Sequence, residues 1–210
     1  TPLYSSAASD VYKRQEFFSS RNRKNLKKER RKIIEQNIEI RRFSGNQISS
    51  DLVDDFYSFY VDTHLKRSGH SGYLNKDFFK QITNVIPDNI LMVLAYKDSR
   101  AVAGSFFFYD QNNLYGRYWG ASNDYNALHF ECCYYQGIDF CIEKNIKRFD
   151  PGVQGEHKIK RGFEPTFTFS SHWIENYDFS LAIKDFLLRE DKYIKDYHQD
   201  ASTLLPFKDL

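Results

Sequence analysis

Three apolar segments in quick succession place the strongest constraint on this fold. They are ILMVLAY (90–96), AVAGSFFFY (101–109) and LYGRYWG (114–120), and the short polar turns KDSR and DQNN separate them. Short apolar runs joined by turn-forming residues are typical of antiparallel strands. We therefore predict an antiparallel meander around which the other elements must pack.

Strand and helix patterns flank this meander on both sides. Ser50 and Asn75 are typical first-turn caps, and Pro87 is typical of a helix end. The predicted flanking elements are a strand (37–43), two helices (49–64 and 75–87), a buried helix (127–145), a strand (146–150), a strand (166–174) and a helix (180–196). This order predicts an α+β fold with a mixed sheet flanked by helices.

Composition restricts the class of function. The chain has 210 residues, a net charge of +2 and a pI near 8.3, so it is not a polyelectrolyte overall. Its three cysteines lie close together, at Cys132, Cys133 and Cys141, without the spacing of a metal site. We predict buried reduced thiols, no metal and a cytoplasmic protein. No apolar run reaches the length of a membrane span, so we expect no membrane insertion.

The N-terminal segment is expected to stand apart from the fold. DVYKRQ (10–15) is the peptide that the mosaic-end tag of transposon-based sequencing libraries encodes, so residues 1–15 are predicted to be a tag artefact or disordered. Residues 16–36 are predicted to form a basic helix, and residues 37–210 one domain. On this interpretation a native N-terminal portion is missing.

Positive charge is concentrated in one segment. Residues 21–32, RNRKNLKKERRK, carry eight cations against one carboxylate. Such a run is either a solvated helix face or a surface for phosphate groups, including those of tRNA. The sequence alone leaves both interpretations open.

Three strings carry a resemblance to a known family. They are LYGRYWG, LHFECCYYQGIDF and DPGVQGEHKIKRGFEP. Together they resemble the FemAB-like predicted N-acyltransferases of peptidoglycan biosynthesis/recognition, which belong to the GNAT superfamily. The resemblance implies a GNAT-like fold whose sheet is splayed between its fourth and fifth strands, 114–120 and 146–150. It also implies that the acyl donor lies in that opening, and that the chain is the C-terminal unit of a tandem protein.

The function implied by the resemblance is N-acyl transfer to an amine, of a cell-wall precursor or another small acceptor. The implied donor is an acyl-CoA or an aminoacyl-tRNA. RYWGAS (117–122) matches only part of the CoA-binding signature of GNAT proteins, which keeps the tRNA donor open. Two alternatives are a non-catalytic module that binds peptidoglycan precursor, with aromatic residues such as Trp119 and Trp173, and an RNA-binding domain centred on 21–32.

Candidate catalytic residues lie in the glycine-rich stretch 150–165. IKRGF resembles the apolar-Lys-x-x-Phe signature of FemAB-type enzymes, which implies that Lys160 stabilises charge developing on the transferred acyl group. Glu156 and His157 are candidates for the base, and their adjacency on a helix means that only one of them is expected to face a ligand.

Further residues are predicted to bind the substrate or donor. Strand alternation predicts that Tyr115, Arg117 and Trp119 share one face, where Arg117 either forms a salt bridge or contacts the donor. His129 and Glu131 lie near a helix N-terminus, where free backbone amides can bind an anion. The alternative for His129 is a hydrogen-bonded residue of the core. The predicted binding set is Arg117, Tyr115, Trp119, His129, Glu131, Gly152, Gly155, Lys158 and Arg161.

Overall fold

The computed structural model describes residues 16–152 and 155–208. The expectation for residues 1–15 lies outside the described residues. The described residues divide into two compact units, one within residues 16–152 and the other within residues 155–208. The two units are described separately below, as the N-terminal unit and the C-terminal unit.

The N-terminal unit is built on a five-stranded mixed sheet. Its strands follow chain order across the sheet. They are β1 (Ile38–Ser44), β2 (Ile90–Lys97), β3 (Arg100–Tyr109), β4 (Asn113–Ala121) and β5 (Arg148–Asp150). Neighbours from β1 to β4 are antiparallel, and β4 pairs with β5 in parallel. The predicted meander is confirmed by the antiparallel pairing of β2, β3 and β4, and residues 90–95 of the interior strand β2 are buried as their apolar run requires.

Helices cover both faces of this sheet. They are α1 (Ser20–Glu35), α2 (Ser50–Ser68), α3 (Lys76–Val85), α4 (Leu128–Phe130), a π-helical segment (Glu131–Tyr135) and α5 (Gln136–Lys144), with short 3-10 turns at Gly45–Gln47 and Pro87–Asn89. Helix α2 begins after Ser49, whose hydroxyl accepts from the Leu52 amide, one residue before the predicted cap. Asn75 caps α3 as predicted, by accepting from the Phe78 amide.

Aromatic packing joins α2 and α3 to one face of the sheet. The rings of Phe56, Phe79 and Phe106 lie 5.4–5.6 Å from one another. Helix α2 also approaches β4 very closely, since a Cβ on Gly120 would lie 2.1 Å from the Phe59 carbonyl oxygen. Only glycine fits at this position, so Gly120 fixes where α2 crosses the sheet.

The opposite face of the sheet packs against the helical segment of residues 128–144. The Ser105 hydroxyl donates to the Cys132 carbonyl at 2.9 Å, and Phe107 contacts Phe149 with 6.0 Å between ring centres. Cys132 and Cys141 are buried, Cys133 is half-buried, and all three are free thiols. The prediction that this helix is mostly buried is confirmed.

The C-terminal unit contains a 3-10 helix (Glu156–Arg161) and α6 (Tyr177–Ser202). The prediction of a strand at 166–174 is wrong, because the structure describes this segment without strand pairing. Its alternating aromatic residues are exposed, with Phe169 93% and Trp173 84% accessible. Alternation shows that a segment suits a sheet face, but a strand also needs a pairing partner.

The predicted fold class is confirmed in its α+β architecture and mixed sheet. The described ranges 16–152 and 155–208 contain no helix that is both long and apolar enough to span a membrane.

Candidate functional site

Strands β4 and β5 form a fork at the edge of the sheet. They pair at only three positions, and the last is Tyr115 with Asp150. Strand β4 continues from there to Ala121, and within the described residues β5 does not follow it. The predicted splay between the fourth and fifth strands is therefore confirmed. An uncovered strand edge presents amide and carbonyl groups to whatever occupies the opening.

A β-bulge marks the start of the open edge of β4. In the pairing with β3, Phe107 lies opposite Gly116 and Phe106 lies opposite Tyr118, so Arg117 is the extra residue. A bulge bends its strand and disturbs the ladder locally, which redirects side chains. The bulge therefore places Arg117 at the fork without burying its charge in the sheet.

The bulge also overturns the predicted alternation. Tyr118 turns toward α2 and contacts Tyr60, with 5.7 Å between ring centres. Trp119 lies on the opposite face and contacts His129 at 5.3 Å. Tyr115 pairs with Phe108, whose side chain packs on the α2 side of the sheet. Tyr115 and Trp119 therefore do not share a face, because one inserted residue shifts the period of two.

Arg117 spans the fork through an ion pair. Its Nη2 lies 3.4 Å from Asp150 Oδ2, its Nη1 donates to the Gly116 carbonyl at 3.0 Å, and its guanidinium lies 5.1 Å from the centre of the Tyr115 ring. The structure thus shows the salt bridge, while donor binding stays a prediction. The side chains of Arg117 and Asp150 are 37% and 51% accessible. Such exposed pairs contribute little stability, so an anionic ligand can replace Asp150 at small cost.

Gly152 serves the turn that follows β5. Its amide donates to Asp150 Oδ1 at 2.8 Å, and its φ of +83° lies in the region that favours glycine. The two oxygens of Asp150 therefore have different partners, with Oδ1 on the turn and Oδ2 on Arg117.

Glu131 and His129 lie in the helical segment behind Trp119. The His129 ring contacts Trp119 and Tyr134, each with ring centres 5.3 Å apart. Glu131 begins the π-helical segment and is buried, and its Oε1 accepts from Arg30 Nη2 at 2.9 Å and from Gln136 Nε2 at 2.7 Å. Its Oε2 is buried without a hydrogen-bond partner among the described residues.

Arg30 joins the buried carboxylate of Glu131 to the half-buried carboxylate of Asp139. Its Nη2 lies 2.8 Å from Asp139 Oδ2 as well as 2.9 Å from Glu131. Burial raises the pKa of both Glu131 and Asp139, although the charge of Arg30 acts in the opposite direction. Arg30, one of the eight cations of segment 21–32, therefore points toward the helical segment 128–144 and pairs with carboxylates there. The exposed cations of α1 are Arg21, Lys24, Lys27, Lys28 and Arg31.

The C-terminal unit carries the predicted catalytic residues on one short 3-10 helix. Lys160 is exposed, while Arg161 is buried and donates from Nη1 to the His157 carbonyl at 2.7 Å. Glu156 Oε1 accepts from the Tyr197 hydroxyl at 3.2 Å. Lys158 is half-buried on the same helix. The roles proposed for these residues stay predictions.

The surroundings of His157, an exposed residue, lower its pKa. Its ring packs against Gly155, where an added Cβ would lie 2.4 Å from the ring, and Gly155 has a φ of +101°. Burial, and then the positive charges of Arg161 and Lys158, lower the pKa of His157 below its ordinary value. An imidazole that is neutral near pH 7 is able to accept a proton.

The structure brings some predicted residues together and separates others. Arg117, Tyr115 and Gly152 gather around Asp150 at the fork, whereas Trp119 joins His129 on the far face of the sheet. Sequence reasoning missed Arg30 as the partner of Glu131, because the two residues lie 101 positions apart. The described part of the chain holds no group of three metal-ligating side chains.

Comparisons with known proteins bear on this geometry. Residues 9–209 match the FemAB-like family, described as peptidoglycan biosynthesis/recognition. A search of curated proteins finds no match. Among solved structures, the chain resembles "a possible acetyltransferase" from Clostridium difficile 630, at 14% identity and a TM-score of 0.49, over 66% of this chain and 99% of that one.

Two further solved structures are similar at the same level. One is L-PGS from Bacillus licheniformis, at 13% identity and a TM-score of 0.48, over 66% of this chain and 44% of that one. The other is an aminoglycoside acetyltransferase from an uncultured soil metagenomic sample, in complex with sisomicin, at 12% identity and a TM-score of 0.46, over 69% of this chain and 98% of that one.

The family match spans nearly the whole chain and covers all three strings that carried the resemblance. The GNAT-like fold class inferred from those strings is confirmed, with the parallel β4–β5 pair and its splay in the expected place. The chain belongs to the FemAB-like family of peptidoglycan biosynthesis/recognition proteins.

Proposed function

We propose that this protein is an N-acyltransferase that moves an acyl or aminoacyl group to an amine of a cell-wall precursor. The observation that carries the proposal is the fork between β4 and β5, where a bulge places Arg117 beside the part of β4 that β5 does not pair with in the described residues. Membership of the FemAB-like family supports the same reaction class. The fork offers what an acyl donor needs, namely a cation for its phosphates and backbone amides for its carbonyl oxygen.

The reaction assigns a separate role to each group. The acceptor ammonium loses a proton to a base, and the free amine attacks the donor carbonyl carbon. A C–N bond forms, the C–S or C–O bond to the leaving group breaks, and the leaving group takes the second proton, which the attacking nitrogen releases. Lys160 is assigned the stabilisation of the negative carbonyl oxygen. His157 is assigned the base, because burial lowers its pKa and so favours the neutral imidazole that accepts a proton, and Glu156 is the other candidate.

The donor is proposed to carry phosphate, as both coenzyme A and tRNA do. The exposed cations of α1 favour tRNA, because Lys24, Lys27 and Lys28 lie on one helix without a carboxylate partner among the described residues. The discriminating assay offers the full chain either acetyl-CoA or a pool of charged tRNA, together with a precursor peptide that has a free side-chain amine. Mass spectrometry then identifies the acyl group gained by the peptide. No gain with either donor would contradict acyl transfer and leave a binding module.

Replacing Arg117 by Met is expected to weaken donor binding. Loss of one charge-assisted contact should raise the apparent KM for the donor about 10-fold, with turnover changed less than KM. Methionine keeps the aliphatic length of the side chain, so the bulge should be retained. Initial rates over a range of donor concentrations measure the effect.

Asp150→Asn is the matched control for this variant. It removes the charge that pairs with Arg117 and keeps an oxygen for the Gly152 amide, provided that the amide group is suitably oriented. If Arg117 serves only the salt bridge, both variants should change KM alike. A KM that rises in Arg117→Met alone supports donor binding, and equal KM values would rule it out.

The pH dependence tests the base. If His157 accepts the proton, kcat/KM should fall on the acid side with an apparent pKa below 6.5, because the folded protein lowers the pKa of this imidazole. Activity should be full above that pKa and lost as the pH falls through it. His157→Gln should remove this limb of the profile, and a profile identical to that of the unmodified protein would assign the base elsewhere.

A further inference from the structure

A cluster of four rings lies at the C-terminal end of α2, in the N-terminal unit. His64 contacts Tyr60, His70 and Tyr73, with ring centres 4.5, 5.7 and 6.3 Å apart. His70 contacts Tyr73 at 5.0 Å. The two histidines are half-buried, whereas Tyr73 is 87% accessible. We call these four residues the imidazole cluster, and none of them has a role in the fork.

The loop that carries His70 and Tyr73 is held against α2. Gly69 ends the helix in the left-handed conformation and turns the chain back. The Tyr60 hydroxyl accepts from the amides of Tyr73 and Leu74, at 3.1 and 3.3 Å. A Cβ on Gly72 would lie 2.5 Å from the Tyr60 ring, so the loop packs tightly on this tyrosine. The cluster is therefore ordered before any ligand arrives.

The cluster lies near the open edge of β4. The Tyr60 ring contacts both His64 and Tyr118, and Tyr118 follows the bulge residue Arg117. Farther along α2, the Thr63 hydroxyl accepts from the Ala121 amide at 3.2 Å. Helix α2 thus brings the imidazole cluster to the part of β4 that β5 leaves uncovered.

The surroundings of His64 favour the neutral form of its imidazole. The titratable and charged groups that face it are His70 and Arg67, together with the phenol rings of Tyr60 and Tyr73. Burial, followed by the electrostatic effects of His70 and Arg67, lowers the pKa of His64. His70 Nδ1 accepts from the Gly72 amide at 3.1 Å, which leaves Nε2 as the donor nitrogen of this ring.

We propose that the imidazole cluster is a binding subsite for the ammonium group of the acceptor. Aromatic faces attract an ammonium ion, and a neutral imidazole nitrogen accepts a hydrogen bond from it. The inference rests on the proposed function, since it supplies the acceptor site for a transferase whose donor lies at the fork. It restricts the acceptor to molecules that present a primary ammonium on a slender chain, such as a lysine-type side chain.

The test measures binding without acyl transfer. The full chain is labelled with ¹³C-histidine, and the His64 and His70 ring signals are assigned from the His64→Gln and His70→Gln variants. Nα-acetyl-L-lysine amide is titrated at pH 7.5 against its Nε-acetylated derivative, which has the same length without the charge. We expect the ammonium probe to shift both signals saturably and to bind at least about 10-fold more tightly than the neutral probe. The bound cation should also lower the pKa of His64 further.

Variants separate the cluster from general effects. Tyr73→Ala removes an exposed ring and should weaken binding of the ammonium probe several-fold, while His172→Gln, an exposed histidine in the C-terminal unit, should leave binding unchanged. Equal responses to the two probes, or no response of His64, would overturn the proposal. The two probes are compared on the unmodified chain, so this outcome does not depend on whether the Tyr73→Ala variant folds. Because the readout needs no donor, this failure is distinguishable from failure of acyl transfer at the fork.

Discussion

Replacing Lys160 by Met is expected to lower turnover about 100-fold, with the donor KM little changed. Loss of one group that stabilises a developing oxyanion has an effect of this size, and an interaction made only in the transition state affects kcat rather than KM. Lys160 is exposed, and methionine keeps the length of its aliphatic chain, so the free energy of unfolding should change little. Single-turnover acyl transfer by the full chain, with the donor found above, measures the rate.

Lys192→Met is the control for this variant. Lys192 is also an exposed lysine of the C-terminal unit, on α6, and it lies far along the chain from the glycine-rich stretch. The control should transfer at the rate of the unmodified protein. Unaltered turnover in Lys160→Met would refute the catalytic assignment, because the motif would then serve only the turn at Gly162, where φ is +85°.

The two variants of the proposed function are expected to move different kinetic constants. Arg117→Met should act mainly on KM, because its cation binds the donor before and during the reaction. Lys160→Met should act mainly on kcat. A result in which both variants affect KM alone would mean that neither residue acts on the transition state, and would favour the binding module over the transferase.

Local patterns predicted most of the sheet and the helices. The apolar run at 90–96 and its two successors became β2, β3 and β4 within a residue or two, because each carries its own burial signal and turns. The strand predicted at 166–174 failed for the converse reason, since no local pattern encodes whether a partner strand exists.

The site was predictable in its residue types and less so in its geometry. Arg117 was expected at the fork, but its bulge was not, because the extra residue is defined by the register with β3. Simple alternation along β4 therefore assigned Trp119 to the same face as Tyr115, whereas the two side chains lie on opposite faces of the sheet. The π-helical segment at Glu131–Tyr135 was also missed, because a helix with one wide turn keeps the apolar periodicity of an ordinary helix on either side.

Replacing Arg30 by Met is expected to destabilise the fold by roughly 3 kcal/mol at pH 7. Removal of one partner from a buried ion pair leaves an uncompensated charge, and Arg30 holds two carboxylates at 2.8 and 2.9 Å. Glu131 is almost fully buried, and its second oxygen already lacks a partner within the described residues, so little can take the place of the guanidinium. Chemical denaturation of the variant and of the unmodified protein gives the difference in free energy of unfolding.

Arg31→Met is the matched control for Arg30→Met. Arg31 is the next residue of α1, and it pairs with Glu35 on the surface, where both side chains are more than half accessible. Exposed helical pairs of this type contribute about 0.5 kcal/mol or less. If the two variants lose similar amounts of free energy of unfolding, Arg30 does not make a buried ionic contact in solution.

The loss in Arg30→Met should depend on pH in a definite direction. Burial already raises the pKa of Glu131 and Asp139 in the folded protein, and removing the cation that opposes this effect raises both pKa values further. A carboxyl group whose folded pKa lies above its unfolded pKa favours folding below the unfolded value, and that contribution is lost as pH rises through the folded pKa. The deficit of the variant should therefore be largest at pH 7 and shrink by roughly 1 kcal/mol or more at pH 5. A deficit that is constant between the two pH values would mean that both carboxyl groups reach water once Arg30 is gone, and that the buried Leu26 and Ile33 still hold α1 in place.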